Sequence, residues 1–272
     1  MSSDRRGLEF WILSVFFALF VLFLYGPLSA ILILSFQGPN GGLTFPLNGV
    51  SLHWFYNLTQ QQAVGDFGGS FRRSFTLGIM VTLVTVVVSL LAGLAFRRKF
   101  FGATPLFYLS IASLVVPSII ISLGIGVMFQ QIGIRPSWYG SAFGAHLTWT
   151  LPFGVLIMFA VFNRFSPSYE EAARDLGASS WQTFLHVLLP MIAPMLIGVG
   201  LFGFTLSYDE FARTLMTGGT YNTLPLEIYG MTTNVTTPVL YARGTVTTIF
   251  SFLVIAATLG IILWLERRRA RG

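Results

Sequence analysis

Cysteine is absent from the 272 residues of this chain, and charged residues make up only 10% of it. Without cysteine the chain offers no disulfide framework, no thiolate metal site and no cysteine nucleophile. Lysine occurs once, at Lys99, and no glycine-rich loop precedes it, so the chain also lacks a phosphate-binding G-x-x-x-x-G-K-[ST] loop. If this protein uses nucleotide energy, another subunit has to bind the nucleotide, and we expect no cofactor in the chain itself.

Histidine is scarce as well, and its three positions (His53, His146 and His186) lie far apart without metal-binding spacing. Acidic and basic side chains do not converge in the sequence in the way that an enzyme active site requires. The net charge of +6 could indicate nucleic acid, but the basic residues cluster at the ends of apolar segments, where they suit the flanks of membrane spans. We therefore expect no enzyme, no metal site and no nucleic-acid binding.

Apolar sequence is what the chain has in abundance: 54% of its residues are hydrophobic, and its mean hydropathy is +0.74. A soluble domain of this length would carry charge on roughly a quarter of its residues. Several charge-free runs reach the ~20 residues that a transmembrane helix needs. The pattern predicts an all-α integral membrane protein that forms a single transmembrane domain over 1–272, with six spans at about 10–36, 75–96, 105–130, 142–163, 191–209 and 245–265.

The distribution of basic residues predicts the orientation of these spans. Six spans place both termini on the same side of the membrane. If that side is the cytoplasm, the cytoplasmic segments hold 11 of the 16 lysines and arginines and the outer segments hold 5. Because lysine and arginine resist translocation, this asymmetry favours a multi-pass protein of the bacterial inner membrane, surrounded by lipid, with both termini cytoplasmic.

The loop between the fourth and fifth predicted spans carries two helix start signals. Ser168 with Glu171 three residues later fits a capping box, and Ser179 with Gln182 repeats the pattern. Gly177 between them can adopt the left-handed conformation that ends a helix. These local rules predict a helix, a glycine bend and a second helix at the cytoplasmic surface of the membrane.

Two interpretations of this loop are open from spacing alone. The two helices could lie on the lipid as an amphipathic pair. Alternatively the first helix could dock on another protein, because Ala172 and Ala173 leave a slim surface that fits a groove, and Glu171, Arg174 and Asp175 could pair with charges there.

The loop 164–190 also resembles a known motif. Its pattern Glu171-Ala172-Ala173, then Gly177, Val187 and Leu189-Pro190, is similar to the EAA signature of permease subunits of binding-protein-dependent ABC importers, which has isoleucine at the position of Val187. The resemblance implies a type I ABC importer permease fold with a cytoplasmic coupling helix. It implies an ATPase-coupling role for Glu171, Ala172, Ala173, Asp175, Gly177, Leu189 and Pro190.

The same resemblance implies the partners of the chain. They are a dimer of ABC ATPase subunits that binds the ATP, a second homologous permease subunit in a heterodimer, and a periplasmic substrate-binding protein. A secondary transporter driven by an ion gradient is an alternative, but it leaves the EAA loop unexplained.

Further segments resemble the spermidine/putrescine branch of these permeases. They are 204–211, 223–229, Pro238, Ala242, His146 and 151–153, and the similarity as a whole covers about 70–265. The resemblance implies a polyamine as the solute. Branches that carry opines, amino-acid derivatives, ferric iron, phosphonates or sulfate have the same EAA loop, so another small solute is an alternative.

Acidic and aromatic residues follow the fifth predicted span. At 1.5 Å per residue, Asp209 lies about 28 Å along that span from Pro190, near its outer end. A polyamine needs carboxylates for its ammonium groups and aromatic faces for its methylenes. The candidate pathway residues are therefore Tyr208, Asp209, Glu210, Glu227 and Tyr229.

A plainer interpretation is that Asp209 and Glu210 begin a solvated loop in which Arg213 neutralises one of them. His146, within the fourth span, fits a buried hydrogen-bonding residue better than a proton relay.

Overall fold

Helices make up the fold. The computed structural model describes residues 7–58, 65–98, 100–234 and 237–269, and two isolated β-bridges are the extended pairings there. In chain order the helices are α1 Leu8–Leu34, α2 His53–Tyr56, α3 Phe67–Phe96, α4 Ala103–Ala112, α5 Ser118–Gln131, α6 Ser141–Arg164, α7 Ser168–Asp175, α8 Ser180–Thr183, a π-helical turn Phe184–Leu188, α9 Leu189–Tyr208, α10 Ala212–Leu215, α11 Leu224–Asn234 and α12 Val239–Arg269.

Membrane-spanning length is reached by five helical stretches in the described ranges. They are Leu8–Leu34, Phe67–Phe96, Ser141–Arg164, Ser180–Tyr208 and Val239–Leu265. They coincide with the first, second, fourth, fifth and sixth predicted spans, which confirms the all-α membrane class. The second span begins about two turns earlier than predicted, because the Asp66 carboxylate accepts a hydrogen bond from the Gly69 N–H at 2.8 Å and caps α3 there.

The stretch 105–130 differs from the prediction of one span. It forms two shorter apolar helices, α4 and α5, separated at 113–117. Pro117 lies at the break with extended backbone angles (φ −55°, ψ 132°). Proline has no N–H to donate and disfavours helical geometry in the residue before it, so α4 ends before Pro117 and a new helix starts after it.

The unit formed by residues 66–229 and 251–272 has a core of α3, α6 and α9. The hydroxyls of Thr85 and Thr150 lie 2.8 Å apart, and Gly93 faces the Phe162 ring farther along, so α3 and α6 run in the same direction. Phe162, near the end of α6, packs in one apolar cluster with Leu188, just before α9, so α9 runs the opposite way. The other buried members of this cluster are Met158, Ile192, Leu196 and Val199.

The helix that leads into α9 is longer than predicted. Helical structure continues from Ser180 through the π-helical turn to Tyr208, so the helix begins well before residue 191, where the fifth span was predicted to start. Pro190 has no N–H for the usual bond to the carbonyl four residues earlier. The wider turn directly before α9 absorbs this defect without breaking the helix.

The unit formed by residues 1–65 and 230–250 contains α1 and the connecting segment after it. Gln37 organises this segment: its Nε2 donates to the Gly42 carbonyl oxygen at 3.2 Å, and its Oε1 accepts from the Asn48 N–H at 2.6 Å. A small apolar cluster holds the end of the segment and consists of Trp54, Met231, Val239 and Ala242. Most side chains of α1 are apolar and exposed, as befits a helix that faces lipid.

Candidate functional site

The glycine bend between α7 and α8 has the geometry that the sequence predicts. Gly177 has a φ of +85°, in the left-handed region. Its N–H donates to the Arg174 carbonyl oxygen at 2.8 Å, and the Ala178 N–H donates to the Ala173 carbonyl oxygen at 3.0 Å. This pair of bonds is the Schellman arrangement that ends a helix at a glycine.

One of the two predicted capping boxes is confirmed. The Gln182 N–H donates to the Ser179 Oγ at 3.3 Å, and the Ser179 N–H donates to the Gln182 Oε1 at 2.8 Å. The box predicted at Ser168 and Glu171 is wrong, because Ser168 is already the first residue of α7 and its hydroxyl bonds that of Ser166 at 2.7 Å. The helix begins where it was predicted, but without that cap.

The face of α7 that carries the EAA residues points away from the rest of the chain. Glu171, Ala172, Asp175 and Gly177 are exposed, whereas Ala173 is half-buried. Apolar side chains beside them are also open to contact, with Leu176 89% and Trp181 66% exposed. Leu189 is half-buried and Pro190 exposed at the start of α9. A short helix that shows small, charged and apolar groups together can dock in a groove of another protein.

An ion pair that the sequence does not predict connects α7 to the helix bundle. Arg97, which caps the end of α3, donates from Nη1 to the Glu170 Oε1 at 2.6 Å. The basic run 97–99 was interpreted only as a membrane flank, and Glu170 was not singled out. Spacing gives no signal for this contact, because 73 positions separate the two residues.

Asp209 and Tyr208 lie at the opposite end of α9. Asp209 caps the helix and is exposed, and within the described part of the chain its carboxylate takes part in no ion pair or side-chain hydrogen bond. The Tyr208 side chain is only 2% exposed, and its ring meets Phe71 edge-on at 6.2 Å and stacks on Phe204 at 5.6 Å. Asp209 is therefore an accessible negative charge beside a packed aromatic cluster.

Glu210 is engaged by Arg213. Its Oε2 lies 3.5 Å from the Arg213 Nη1, and its Oε1 accepts from the Arg213 N–H at 2.9 Å. The Arg213 side chain is fully buried: its Nη1 donates to the Ser118 Oγ at 2.7 Å, and its guanidinium lies 4.5 Å from the centre of the Trp149 ring. Arg213 thus neutralises Glu210, as the plainer interpretation expected for one of the two acids.

His146 lies next to this cluster and is buried. Its Nδ1 is 2.8 Å from the Ser207 Oγ, and its Nε2 is 2.8 Å from the Thr214 Oγ1. Both ring nitrogens have hydroxyl partners on elements that follow in the chain. This arrangement matches the interpretation of His146 as a hydrogen-bonding residue that holds α6 to α9 and α10.

Glu227 is buried and holds two other segments in place. Its Oε1 accepts from the Asp66 N–H at 2.6 Å, and its Oε2 accepts from the Asn222 Nδ2 at 2.9 Å. The Gly69 N–H, and after it the Arg73 guanidinium 3.1 Å away, lower the pKa of Asp66 below its ordinary value. The Asp66 carboxylate therefore stays charged at neutral pH, and Glu227 joins it in a network at the start of α3.

Tyr229, the last of the predicted pathway residues, is 55% exposed, with its ring 4.9 Å from that of Phe211. The five residues therefore occupy three different environments: Asp209 and Tyr229 are open, Tyr208 is packed, and Glu210 and Glu227 are bonded within the chain. Their contact with a solute stays a prediction.

A cationic cavity of about 260 Å³ opens beside the Glu227 network. Its lining consists of Arg72, Arg73, Thr76, Trp138 and Tyr221, and the Arg73 guanidinium lies 5.6 Å from the centre of the Tyr221 ring. Asp66 and the Asn222 carbonyl oxygen, at 2.7 Å, already occupy donors of Arg73. Arg72 also lines the cavity and is exposed to solvent.

Comparison with protein families matches residues 86–271 to the family described as binding-protein-dependent transport system inner membrane component. Two curated relatives come from Escherichia coli strain K12. The spermidine/putrescine transport system permease protein PotC is 26% identical over 87% of this chain and 88% of its own length. The putrescine transport system permease protein PotI is 26% identical over 91% of this chain and 88% of its own length.

Two ABC transporters are among the solved structures with the same fold. A bacterial transporter that imports the acidic polysaccharide alginate matches with a TM-score of 0.73, 15% identity and coverage of 95% of this chain and 96% of the matched one. The MetNI methionine transporter, in an inward-facing form, matches with a TM-score of 0.58, 17% identity and coverage of 72% and 94%. At these identities the likeness shows the fold, and it confirms the ABC importer permease architecture that the EAA loop predicts.

Proposed function

Since this chain belongs to the family of inner membrane components of binding-protein-dependent transport systems, and is a permease subunit of an ABC importer, we propose that it forms half of an ATP-driven import pathway for a polyamine. It spans the inner membrane several times. In this proposal both termini and the loop 164–190 face the cytoplasm, and the α9–α10 end faces the periplasm.

The single observation that carries the ATP-coupling part of the proposal is the exposed EAA face of α7, ended by the left-handed Gly177. A rigid, slim and exposed helix is what a groove on a partner ATPase can hold. ATP binding closes the ATPase dimer and displaces α7, and the helix bundle then changes between inward-facing and outward-facing states. The ATP supplies the energy, and this chain contributes the contact and the pathway.

A polyamine fits the accessible charge at the other end of the bundle. Asp209 offers a carboxylate that has no ion pair or side-chain hydrogen bond among the described residues, and Tyr229 offers an exposed aromatic face in the same compact unit. Because Glu210 and Glu227 are engaged within the chain, the second carboxylate for a diamine comes from the second permease subunit in this proposal. The two curated permeases for spermidine and putrescine support this choice of solute.

A second candidate solute is a small molecule with a carboxylate, such as an opine or an amino-acid derivative. The observation that favours it is the cavity of about 260 Å³ with Arg72 on its rim. A guanidinium pairs with a carboxylate through parallel hydrogen bonds, so this cavity suits an anionic group better than an ammonium group.

Uptake into proteoliposomes tests the function. The complex contains this subunit, its partner permease, the ATPase and the binding protein, and we compare putrescine, spermidine, an opine, an amino acid and ferric iron as competitors of labelled putrescine. We expect ATP-dependent uptake of putrescine that excess spermidine blocks. In a parallel assay with labelled opine, uptake of the opine without uptake of putrescine would establish the second candidate. Uptake that persists without ATP while an ion gradient is held would contradict the ATP-driven mechanism.

A further inference from the structure

The contact between α7 and the helix bundle, called the joint below, consists of the Arg97–Glu170 ion pair and of two aromatic rings that pack against the Arg97 guanidinium. Arg97 donates from Nη1 to the Glu170 Oε1 at 2.6 Å, and the two side chains are only 22% and 15% exposed. The Arg97 guanidinium also lies 5.2 Å from the centre of the Phe162 ring and 5.6 Å from that of Phe165. The charge-assisted bond and the ring contacts fix the position of this guanidinium.

The elements that meet at this joint are not neighbours in sequence. Arg97 follows α3, the two phenylalanines lie at the end of α6, and Glu170 lies on α7. Apart from this joint, α7 packs mainly on α8 and the π-helical turn that follow it. The ion pair therefore gives α7 a direct connection to α3, which packs on both α6 and α9 along the bundle.

A competing partner for Glu170 is weaker. Arg174, one turn along α7, reaches the Glu170 Oε2 at 3.7 Å, and its side chain is 56% exposed. Exposed pairs at this spacing contribute little, because water and salt screen them. If α7 moved away from α3, Arg97 would lose its carboxylate while its charge stayed partly enclosed by the rings, which is costly.

We propose that Arg97 is a positioning residue that makes α3 move together with α7 when the ATPase displaces the loop 164–190. This inference rests on the proposed ATP-driven function. Its signature is a change in coupling. Without the ion pair the complex still assembles and hydrolyses ATP, but α3 follows α7 only indirectly, through α8 and α9, so fewer solute molecules are imported for each ATP hydrolysed.

The first experiment measures solute imported per ATP hydrolysed in proteoliposomes of the full complex. For Arg97→Gln we expect the subunits to co-purify and this ratio to fall by about five-fold or more, the lower end of the coupling between two linked sites. Arg97→Lys keeps the charge and should restore part of the ratio. Arg98→Gln is the matched control, because Arg98 is exposed and has no ion pair within the described residues. An unchanged ratio in Arg97→Gln would overturn the inference, whereas a wild-type complex that imports nothing with ATP would overturn the proposed function instead.

A second experiment, with cross-linked cysteines at the same two positions, tests the role of Arg97 even if the Arg97→Gln complex fails to assemble. The chain has no cysteine, so Arg97→Cys with Glu170→Cys introduces its only two thiols. We expect this double variant to have a low ratio of solute to ATP, and a short bismaleimide that links the two positions to raise it, because the covalent bridge replaces the ion pair. Arg97→Cys alone, treated in the same way, is the control. Cross-linking that leaves the ratio low, or stops import, would show that the joint has to open and that the inference is wrong.

Discussion

The guanidinium of Arg213 lies 4.5 Å from the centre of the Trp149 ring and is fully buried. Its contact with Glu210, which is 11% exposed, forms a sheltered ion pair at the end of α9. Removing one member of a buried pair strands the other charge, which costs about 3–5 kcal/mol. We therefore expect Arg213→Gln to lower the transition temperature of the complex, defined as the temperature at which the detergent-solubilised complex begins to aggregate.

Arg135→Gln is the matched control for this prediction. Arg135 also lies in a segment predicted to face the outer side of the membrane, but its side chain is exposed. It should leave the transition temperature close to that of the wild type. Equal transition temperatures for the two variants would mean that the Arg213 cluster does not stabilise the fold.

Gly177 allows a test of backbone conformation without any change in packing. A Cβ at this position would meet nothing within 4 Å, yet its φ of +85° strains most L-residues, by roughly 1–2 kcal/mol, and β-branched residues more. We expect Gly177→Val to abolish transport and co-purification with the ATPase while membrane insertion is retained. Gly177→Asn should keep much of both, because asparagine tolerates the left-handed region. Transport by the valine variant at the wild-type rate would argue against the coupling role of this bend.

Asp209 and Glu210 are adjacent in sequence, but we expect neutralisation of Asp209 to change the KM for uptake and neutralisation of Glu210 to change the stability of the complex. Asp209→Asn removes an exposed carboxylate that has no partner in the part of the chain that the structure describes. We therefore expect it to raise the KM for polyamine uptake about ten-fold, the typical effect of losing one charged hydrogen bond, and to leave the transition temperature unchanged. Glu210→Gln should lower the transition temperature instead, because it leaves Arg213 without its carboxylate. A normal KM in Asp209→Asn would point to another solute or another route.

Gly154 sets the distance between α3 and α6. A Cβ there would lie 2.1 Å from the Ser89 Oγ and 3.1 Å from the Thr85 Cγ2, so any larger side chain pushes the two helices apart. Overpacking of this kind costs about 1–3 kcal/mol. We expect Gly154→Val to lower the transition temperature of the complex. Gly144→Val, on an open part of the same helix, is the control and should have little effect.

Features that depend on residues close in sequence were predictable. The bend at Gly177 and the capping box of Ser179 follow from local backbone chemistry, and both are present. Ser168 shows the limit of this approach, because a serine three residues before a glutamate also fits the first position of a helix. Pro117 shows the same limit, because the apolar run over 105–130 predicted one span, whereas the structure has a break between α4 and α5 there.

Features that depend on distant residues were not predictable from spacing. Glu170 meets Arg97 across 73 positions, and Glu227 meets the Asp66 N–H across 161. Periodicity indicates which face of a helix is apolar, but it does not determine which helix packs against that face. The sequence analysis therefore identified Glu227 as an acidic candidate, although the structure gives its carboxylate two partners within the chain.

The unbroken helix from Ser180 to Tyr208 has a mechanical consequence. Its 29 residues span about 43 Å, and neither the π-helical turn nor Pro190 interrupts it. Because the helix is continuous, a partner protein that displaces Trp181 would also displace the end of α9 that carries Asp209. The exposed Trp181 and the accessible carboxylate of Asp209 thus lie at the two ends of one continuous helical stretch.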